Sequence, residues 1–488
     1  MGNTVLNANG FLAILPEILL LLLAVVVLAV DLALPKERKR ALGVWTAGGL
    51  VIILAVALWG PAPTGVAFGG LVVADGLGRL LRAVFLLGGV LAALMSMDFR
   101  PLRQDGPYYG VLIFSLMGMC LMAVAHDLVM LYVAMELTSI SAYVLVGYLK
   151  ESPLSTEAGV KYFLFGAFSS AVMLYGLSLF FGMTGGTGYG QVAAMLQQVV
   201  AMISVSAAPF NLGIVGLMMV LVGFGFKVAM VPMHFWTPDV YQGAPTPVTA
   251  FISVASKAAG FAVLLRALNF MLPALGNEWT VLLVAISAVT MTLGNLFAIP
   301  QRNIKRMLAY SSVAQAGYIL IGVAAGSALG AAAVAFYLVI YTVTNIAAFG
   351  VVVLISNLTG SEDIGTFAGL SRRSPFLAWS LMLALFSLGG VPPFAGFVGK
   401  LILFAAAVQS GLIALVAFGA VNVVISLFYY LNVVKVVFQR RSEDEEAPLA
   451  VPVPSRWVLG FSMAAIVLLG IVGAPVFNLI WQASAGWF

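Results

Sequence analysis

The chain has 488 residues, of which 62% are hydrophobic and only 8% charged, and its formal net charge is +5. A soluble domain of this length would carry about a quarter charged residues, so most of its surface is predicted to face lipid. The single cysteine, Cys120, excludes a disulfide framework. With only His126 and His234 besides, this chain alone cannot build a haem, iron–sulfur or zinc site. The modest charge does not indicate a nucleic-acid partner.

Apolar runs of about 20 residues, the length of a helix that crosses a bilayer, recur along the whole chain. The predicted fold class is an all-α polytopic membrane protein with about fourteen transmembrane helices. The first run lacks the basic start and the cleavage site of a signal peptide, which favours a true span. In chain order, the predicted spans are 11–34, 41–60, 78–97, 109–125, 128–149, 158–184, 211–235, 246–270, 279–298, 304–325, 328–356, 375–408, 412–438 and 456–482.

The basic residues in the connections predict the orientation. They cluster after odd-numbered spans, whereas the connections after even-numbered spans carry essentially none. Basic connections stay on the cytoplasmic side, so both termini are predicted to lie on the outer side of the membrane. The odd-numbered connections hold Lys36, Arg38, Lys39, Arg40, Arg100, Arg103, Lys150, Arg302, Lys305, Arg306, Arg372, Arg373, Arg440, Arg441 and Arg456.

Prolines interrupt two spans, at Pro232 in span 7 and at Pro392 and Pro393 in span 12. A proline breaks the helix, which a membrane tolerates only where the freed backbone groups face protein or a wet cavity. If spans 4–8 and 9–13 form two five-helix units, each is broken in its fourth span and the second is inverted. Matching breaks in inverted repeats indicate the ion path of a transporter. This repeat rests on topology, because the halves share no clear residue-level match.

The sequence therefore divides into four segments. Residues 1–108 form an N-terminal three-helix segment, 109–270 the first five-helix unit and 271–438 the second. Residues 439–488 comprise the last span and, before it, a polar, proline-rich linker at 442–455.

Five charged residues fall inside the predicted spans. Each costs about 2.5–3.5 kcal/mol at membrane depth on insertion scales, which favours a functional role over a purely structural ion pair. Burial disfavours the charged form of lysine and a nearby carboxylate restores it, so such a pair can take up and release a proton. Glu136 and Lys227 are candidates for this pair, whereas Lys161 lies near a span end and could simply snorkel to the interface. The five are Glu136, Lys161, Lys227, Lys257 and Lys400.

Hydroxyl and amide side chains recur at helical spacing on spans 5, 8, 10 and 13, which predicts polar faces able to hold water. Such residues also bond to their own backbone or to neighbouring helices, so a structural role stays open. His234, close to the first break, is either a member of the path or a support for the break. The accessory candidates are His234, Tyr310, Ser311, Gln315 and Tyr430.

Long sequence segments surround these residues: MELTSISAYVLVGY (Met135–Tyr148), GVKYFLFGAFSSAVMLYG (Gly159–Gly176), GFGFKVAMVPMHFWTPDVYQGAPTPVTAFISVASKAAGF (Gly223–Phe261), NIKRMLAYSSVAQAGYILIG (Asn303–Gly322) and FSLGGVPPFAGFVGKL (Phe386–Leu401). They resemble the signatures of the proton-conducting antiporter-like subunits of NADH-quinone oxidoreductase, respiratory complex I. The resemblance runs from span 4 to span 13. It is greatest to the N type, because the L type continues into a long lateral helix and the M type typically carries a glutamate where Lys400 stands.

The resemblance implies a role for each buried charge. Glu136 would modulate Lys227, the central lysine on the broken span, and Lys161 would be a switch between them. Lys257 would continue the relay along the central axis, and Lys400 would pass the proton towards the outer face. It also implies that FMN, iron–sulfur clusters and quinone belong to partner subunits, among them an M-type antiporter-like subunit and small membrane subunits. No cofactor or metal is expected in this chain.

The expected function is proton translocation driven by NADH-to-quinone electron transfer in those partners. One alternative is a subunit of a multi-subunit cation/proton antiporter, which shares the signatures of spans 5 and 7 and performs no NADH chemistry. Another is a membrane scaffold whose charges only lock helices together. Sodium dependence without a linked dehydrogenase would favour the first, and loss of assembly on neutralising Lys227 and Lys400 would favour the second.

Overall fold

Helices account for almost the whole chain. The computed structural model describes residues 8–61, 63–102, 105–201, 208–441 and 448–487. Within these ranges, 13 helices are long and apolar enough to cross a membrane, and the predicted span 12 consists of two shorter apolar helices. The predicted all-α polytopic fold with about fourteen spans is thus confirmed. Arg103 and residues 442–447 of the predicted linker lie outside the described residues.

The N-terminal segment contains three spanning helices and a short β-hairpin. In chain order its elements are α1 (Ala8–Ala13), α2 (Leu15–Ala33), α3 (Ala41–Trp59), β1 (Gly65–Ala67), β2 (Val72–Ala74) and α4 (Gly76–Ser96). The two strands pair antiparallel, with Val66 opposite Val73. A buried ion pair of 2.7 Å between Glu17 and Arg82 joins α2 to α4, so the segment packs as one bundle.

The first five-helix unit begins with three continuous spans and becomes irregular after them. Its elements are α5 (Gly106–Val124), α6 (Leu128–Val146), α7 (Pro153–Thr184), α8 (Tyr189–Ala201), α9 (Ala208–Val228), α10 (Trp236–Gly243), α11 (Thr246–Phe251) and α12 (Lys257–Arg266). Span 7 breaks between α9 and α10, nearer its end than its middle. Span 8 contains two π-helical turns, Ile252–Ser256 and Ala267–Met271, which the apolar pattern did not predict.

The second unit is broken in the middle of span 12, and the chain ends in a further span and a short helix. The elements are α13 (Gly276–Ala298), α14 (Ile304–Ala324), α15 (Ala328–Thr359), α16 (Leu370–Arg373), α17 (Pro375–Gly389), α18 (Ala395–Gln409), α19 (Ile413–Gln439), α20 (Val453–Val472) and α21 (Ala474–Ser484). The four-segment division and the inverted relation of the two units stay predictions.

The centre of the molecule is formed by α11, α12, α14 and α15. These helices are buried along nearly their whole length, whereas α3, α19 and α20 expose large apolar side chains such as Trp45, Phe428 and Trp457. Polar and charged groups in a membrane protein are sustained where protein rather than lipid surrounds them. The central helices can therefore carry the polar residues described below.

Arg266 fixes the end of α12 against three other parts of the chain. Its guanidinium pairs with Asp75, which caps α4, at 2.8 Å. Its Nε donates to the Ala123 carbonyl at 3.0 Å, and the guanidinium lies 4.5 Å from the centre of the Trp487 ring. These contacts hold the helix that begins with Lys257.

Candidate functional site

Lys227 is the penultimate residue of α9, directly before the first break. The chain leaves the helix at Ala229, whose φ of 62° is rare for residues other than glycine, and helix resumes at Trp236. The buried Lys227 Nζ donates to Ser139 Oγ on α6 at 3.1 Å. Its stem packs on Gly260, where a Cβ would approach Lys227 Cγ to 3.0 Å. The break therefore presents Lys227 between α6 and α12.

Glu136 lies one turn before Ser139 on α6 and is half-buried. Its Oε1 accepts a short hydrogen bond from Ser170 Oγ on α7. In the described part of the chain, Glu136 and Lys227 form no direct ion pair, because each is held by a serine instead. The structure thus brings the expected pair to neighbouring positions on one side of α6 without joining them.

Lys257 begins α12 immediately after the first π-helical turn. π-Helical turns inside α-helices frequently occur at functional sites. The buried Nζ donates to the Ser312 carbonyl of α14 at 2.6 Å and also contacts Ser312 Oγ. Tyr341 on α15 donates to the same Oγ at 2.8 Å. Ser312 is therefore the partner shared by the lysine and the tyrosine.

Lys400 lies on α18, just after the second break. The break passes through Gly390, whose φ of 77° suits glycine alone. Lys400 Nζ donates to the Leu388 carbonyl at 2.7 Å, one of the last carbonyls of α17, which have no partner within their own helix. Nζ also lies 4.4 Å from the centre of the Tyr318 ring, a cation–π distance. The broken helix thus supplies the acceptor for its own lysine.

Gln315 on α14 shares that acceptor. Its Nε2 donates to the Leu388 carbonyl at 2.9 Å, and its Oε1 accepts from Tyr337 on α15 at 2.6 Å. Nε2 also lies 3.3 Å from the Tyr430 hydroxyl, which is hydrogen-bonded to Ser311 Oγ. The structure therefore brings three of the accessory candidates together beside the second break.

Two helices connect the surroundings of Lys257 to those of Lys400. Ser312 and Gln315 are about one turn apart on α14, as are Tyr341 and Tyr337 on α15. Each tyrosine donates to the α14 side chain opposite it. We call these four buried residues the polar ladder. One pair lies at Lys257, and the other pair, one turn away, lies at the Leu388 carbonyl that binds Lys400.

The structure does not bring Lys161 to Glu136 or Lys227. It lies nine residues before the α7 serine that binds Glu136, about 13 Å along the helix. Its side chain is 37% exposed, and its ammonium pairs with Asp239 and with Glu157, both at 2.7 Å. The implied switch role of Lys161 stays a prediction, and in this structure its partners are carboxylates near the membrane surface.

Asp239 on α10 bridges the two units. Its carboxylate pairs with Lys161 of α7 at 2.7 Å and with Arg306 of α14 at 2.6 Å. Partial burial raises its pKa, but the hydrogen bonds from the two cations outweigh that effect and hold the pKa below its usual range. The contribution of the bridge is therefore complete at neutral pH and is lost only as the pH falls through the lowered pKa.

Two accessory candidates lie away from the polar ladder. His234 is buried within the first break, 4.6 Å from the Phe235 ring between centroids. Its Nδ1 has no hydrogen-bond partner among the described residues. Tyr310 is half-buried, and its ring lies edge-on to Phe297 at 5.7 Å. Neither side chain bridges the lysines in this structure.

The sequence analysis missed Ser312, Tyr337, Tyr341 and Asp239. Ser312 is adjacent to the predicted Ser311, but it binds Lys257, whereas Ser311 binds Tyr430 beside the second break. The two tyrosines stand four residues apart in an apolar run, and that spacing was the only signal. Asp239 lies between predicted spans, where an acidic residue is typical of an ordinary connection.

The three deep lysines share one kind of environment. Each ammonium donates to a neutral oxygen, and no carboxylate pairs with Lys227, Lys257 or Lys400 among the residues the structure describes. Burial disfavours the charged ammonium and the oxygens stabilise it. Lysines balanced in this way, with hydroxyls between them, are suited to take up, hold and pass on protons.

Comparison with known proteins identifies the family. The sequence model described as NADH:quinone oxidoreductase/Mrp antiporter, TM, matches residues 125–426, which include all five charged site residues. The chain belongs to this family. The match begins at the end of α5 and ends within α19, so it covers both broken spans and the polar ladder.

Members of the family are similar over nearly the whole chain. NADH-quinone oxidoreductase subunit N of Trichlorobacter lovleyi is 41% identical over 475 residues, covering 96% of each chain. NAD(P)H-quinone oxidoreductase subunit 2 of Synechocystis is 39% identical over 97% of this chain and 92% of its own.

Solved structures of the family share the fold. A chain of respiratory complex I from Thermus thermophilus is 32% identical, with a TM-score of 0.79 over 95% of this chain and 98% of its own. A chain of the Mrp complex from Dietzia shares only the fold, at 23% identity with a TM-score of 0.80 over 99% of this chain and 98% of its own.

Proposed function

We propose that this chain is the N-type, proton-translocating membrane subunit of a NADH-quinone oxidoreductase. NADH-to-quinone electron transfer takes place in partner subunits, which hold FMN, iron–sulfur clusters and quinone. Family membership and full-length similarity to subunit N of T. lovleyi support this assignment. The partners are other membrane subunits, including an M-type antiporter-like subunit and small membrane subunits. The basic odd-numbered connections support periplasmic termini in a bacterial inner membrane.

The observation that carries the proposal is the polar ladder. Its Ser312–Tyr341 pair binds Lys257 of the first unit. Its Gln315–Tyr337 pair, one turn away, shares the Leu388 carbonyl with Lys400 of the second unit, and all four side chains are buried. Burying so many polar groups at membrane depth is costly and is typical of ion and proton paths. A scaffold whose charges only lock helices together would pair these lysines with carboxylates, whereas they donate to hydroxyl and carbonyl oxygens.

The proton path follows from the order of these groups. A proton taken up from the cytoplasm resides on Lys227, passes to Lys257, crosses by the polar ladder to Lys400 and leaves on the outer side. Glu136, held one turn from the Lys227 contact, modulates the charge of that lysine when the complex changes conformation. The chain thus provides proton carriers, and the partners provide the energy.

Substitution of the central lysine tests this function. Lys227→Ala removes the first carrier, so proton pumping per NADH oxidised should fall by roughly 10-fold or more while the complex still assembles. Pumping is measured in proteoliposomes from a pH-sensitive dye, and assembly from the native size of the complex. Lys435→Ala, which changes an exposed lysine of α19, is the matched control and should pump normally. Normal pumping by assembled Lys227→Ala complex would contradict the proposal.

An antiporter subunit is distinguished by the assembly in which the chain is found. The tagged chain is purified from gently solubilised membranes, and the native-size fraction is assayed for NADH:quinone reductase activity. Activity that copurifies with the chain supports the oxidoreductase. An assembly without this activity, together with sodium-dependent proton flux in vesicles, would support the cation/proton antiporter instead.

A further inference from the structure

Four aromatic side chains enclose the approach to Lys227. The ring centroids of Tyr143 and Tyr162 are 4.9 Å apart, Tyr162 stacks on Trp236 at 4.5 Å, and Trp236 lies 5.3 Å from Phe226. Trp236 Nε1 also donates to the Phe226 carbonyl at 3.1 Å. We call these four residues the aromatic cluster. All but Tyr143 are fully buried.

Helical spacing places Tyr143 and Tyr162 of the aromatic cluster between Lys227 and the basic face, the face on which α6 and α7 are connected. α6 ends at that face with Val146, and Tyr143 lies within its last turn. Ser139, which binds Lys227, is one turn deeper. On α7, which begins at the same face, Tyr162 lies eight residues before Ser170, the serine that binds Glu136. A proton from the basic face meets the rings before it meets the lysine.

A groove leads from the basic face to one member of the aromatic cluster. It has a volume of about 1120 Å³, lies between α6 and α7, and reaches Tyr143. Its polar lining includes Lys150, Glu151 and Ser152 of the connection between the two helices, and Asp105 before α5. The groove therefore reaches the outer side of the cluster at Tyr143. It is flanked there by apolar side chains exposed on the two spans, such as Ile140 of α6 and Phe163 of α7.

Asp239 holds the helix that carries the largest of these rings. It lies three residues after Trp236 on α10, on the same side of that helix. Its partner Lys161 is adjacent to Tyr162 on α7, so one ion pair and one ring stack join the same two helices. Arg306 holds the other carboxylate oxygen from α14. α10 has only eight residues and follows a non-helical segment. These ion pairs therefore help to hold its position, together with the hydrogen bonds of Trp236 and Tyr241.

We propose that Asp239 is a positioning residue that keeps α10 in place, so that the aromatic cluster separates Lys227 from the basic face. Release of its ion pairs lets Trp236 withdraw and admits water to Lys227. The inference rests on the proposed function, since it identifies the gate for proton uptake at the same site.

Thiol accessibility tests the gate without any measurement of pumping. Ser139→Cys places a thiol beside the Lys227 ammonium, in a Cys120→Ala background that removes the chain's own cysteine. Inside-out membrane vesicles expose the basic face, and 2-aminoethyl methanethiosulfonate is the probe. The rate of modification is measured by mass spectrometry of this chain isolated from the intact complex.

The expected result is faster modification when the bridge is removed. Ion pairs as exposed as these two are individually weak. Asp239→Asn removes both, which should raise the population with α10 displaced, and hence the modification rate, by roughly 2- to 30-fold. Lys161→Gln and Arg306→Gln should each produce part of that increase. Glu157→Gln is the matched control, because it removes a carboxylate from the same lysine at the same 2.7 Å without touching α10. Its rate should equal that of the parent.

A parent-like rate in Asp239→Asn, or an equal increase in Glu157→Gln, overturns the proposal. If Asp239→Asn fails to assemble, Lys161→Gln and Arg306→Gln provide the test, and parent-like modification rates in both would overturn the proposal. Trp236→Leu, with the bridge intact, should also speed modification because it removes the ring. The rate requires neither NADH oxidation nor pumping. Normal pumping by Lys227→Ala would therefore refute the proposed function, but the modification rates would still show whether Asp239 controls access to Lys227.

Discussion

Three buried lysines with neutral partners distinguish this interior from one held together by ion pairs. Where the described structure does use ion pairs, as at Glu17 with Arg82 or Asp75 with Arg266, a carboxylate lies within 2.8 Å of the cation. Lys257 and Lys400 instead donate to a serine and to a helix-end carbonyl. A proton can leave such a lysine without leaving an unpaired buried carboxylate behind, which would be costly.

Lys400→Arg separates the need for a charge from the need for a proton carrier. Arginine keeps the positive charge and the donors but stays protonated in proteins. We therefore expect assembly to be preserved and pumping per NADH to fall roughly 10-fold or more, as measured in proteoliposomes. Lys400→Ala should impair pumping similarly. Parent-like pumping in the arginine variant would instead identify Lys400 as a structural cation.

The two helix breaks create binding positions that an intact helix could not offer. At the end of α17 the Leu388 carbonyl is free to accept from both Lys400 and Gln315, because no further turn of helix follows it. At the end of α9 the break releases α10, which then packs between the two units. In both places the lysine lies within about one and a half turns of the helix end at the break, so the break positions the lysine.

Gly390→Ala tests the second break against a control with the same backbone conformation. Gly390 and Gly411 both have φ of 77°, so alanine costs about 1–2 kcal/mol at either position. At Gly390 a Cβ would also lie 3.2 Å from Lys400 Cδ, whereas at Gly411 nothing lies within 4 Å. Both variants should lower the midpoint of thermal inactivation, but only Gly390→Ala should reduce pumping. Equal pumping losses would show that the crowding of Lys400 has no effect.

Over the whole molecule, the N-terminal bundle and the last span are tied to the central helices at both faces. Arg266 makes this connection at one face. At the other, the fully buried Asp98 carboxylate pairs with Arg40 at 2.7 Å and accepts from Ser455 Oγ at 2.6 Å. Asn357 of α15 donates to the Asp98 carbonyl at 2.6 Å. These contacts join α3, α4, α15 and α20 without involving a proton carrier.

Asp98→Asn should therefore reduce stability and leave the mechanism intact. Loss of the buried charge weakens its bonds to Arg40 and Ser455, at a cost of about 1–3 kcal/mol. We expect a lower midpoint of thermal inactivation and less assembled complex, with an unchanged ratio of protons pumped per NADH in what assembles. A reduced ratio with normal stability would assign Asp98 a place in proton transfer.

Sequence by itself determined the membrane architecture and singled out the buried charges that we propose as proton carriers. Span number follows from apolar run length, which the bilayer thickness dictates. Buried charges are visible because lysine and glutamate are so rare within apolar runs. The prolines revealed both breaks for the same reason, since each removes a backbone donor. These are properties of single residues or of local runs, and local pattern is what a sequence records.

Only the tertiary structure decided which of these residues meet. Lys161 pairs with Asp239 rather than standing between Glu136 and Lys227, because the break carries α10 to the start of α7. Tyr337 and Tyr341 enter the site because α15 packs against α14 in one register. Such contacts join residues far apart in the chain, and their pairing depends on the rotation of each helix. The π-helical turn before Lys257 changes the direction in which the lysine leaves its helix. This turn is a feature of the backbone, and the apolar pattern of the sequence does not record it.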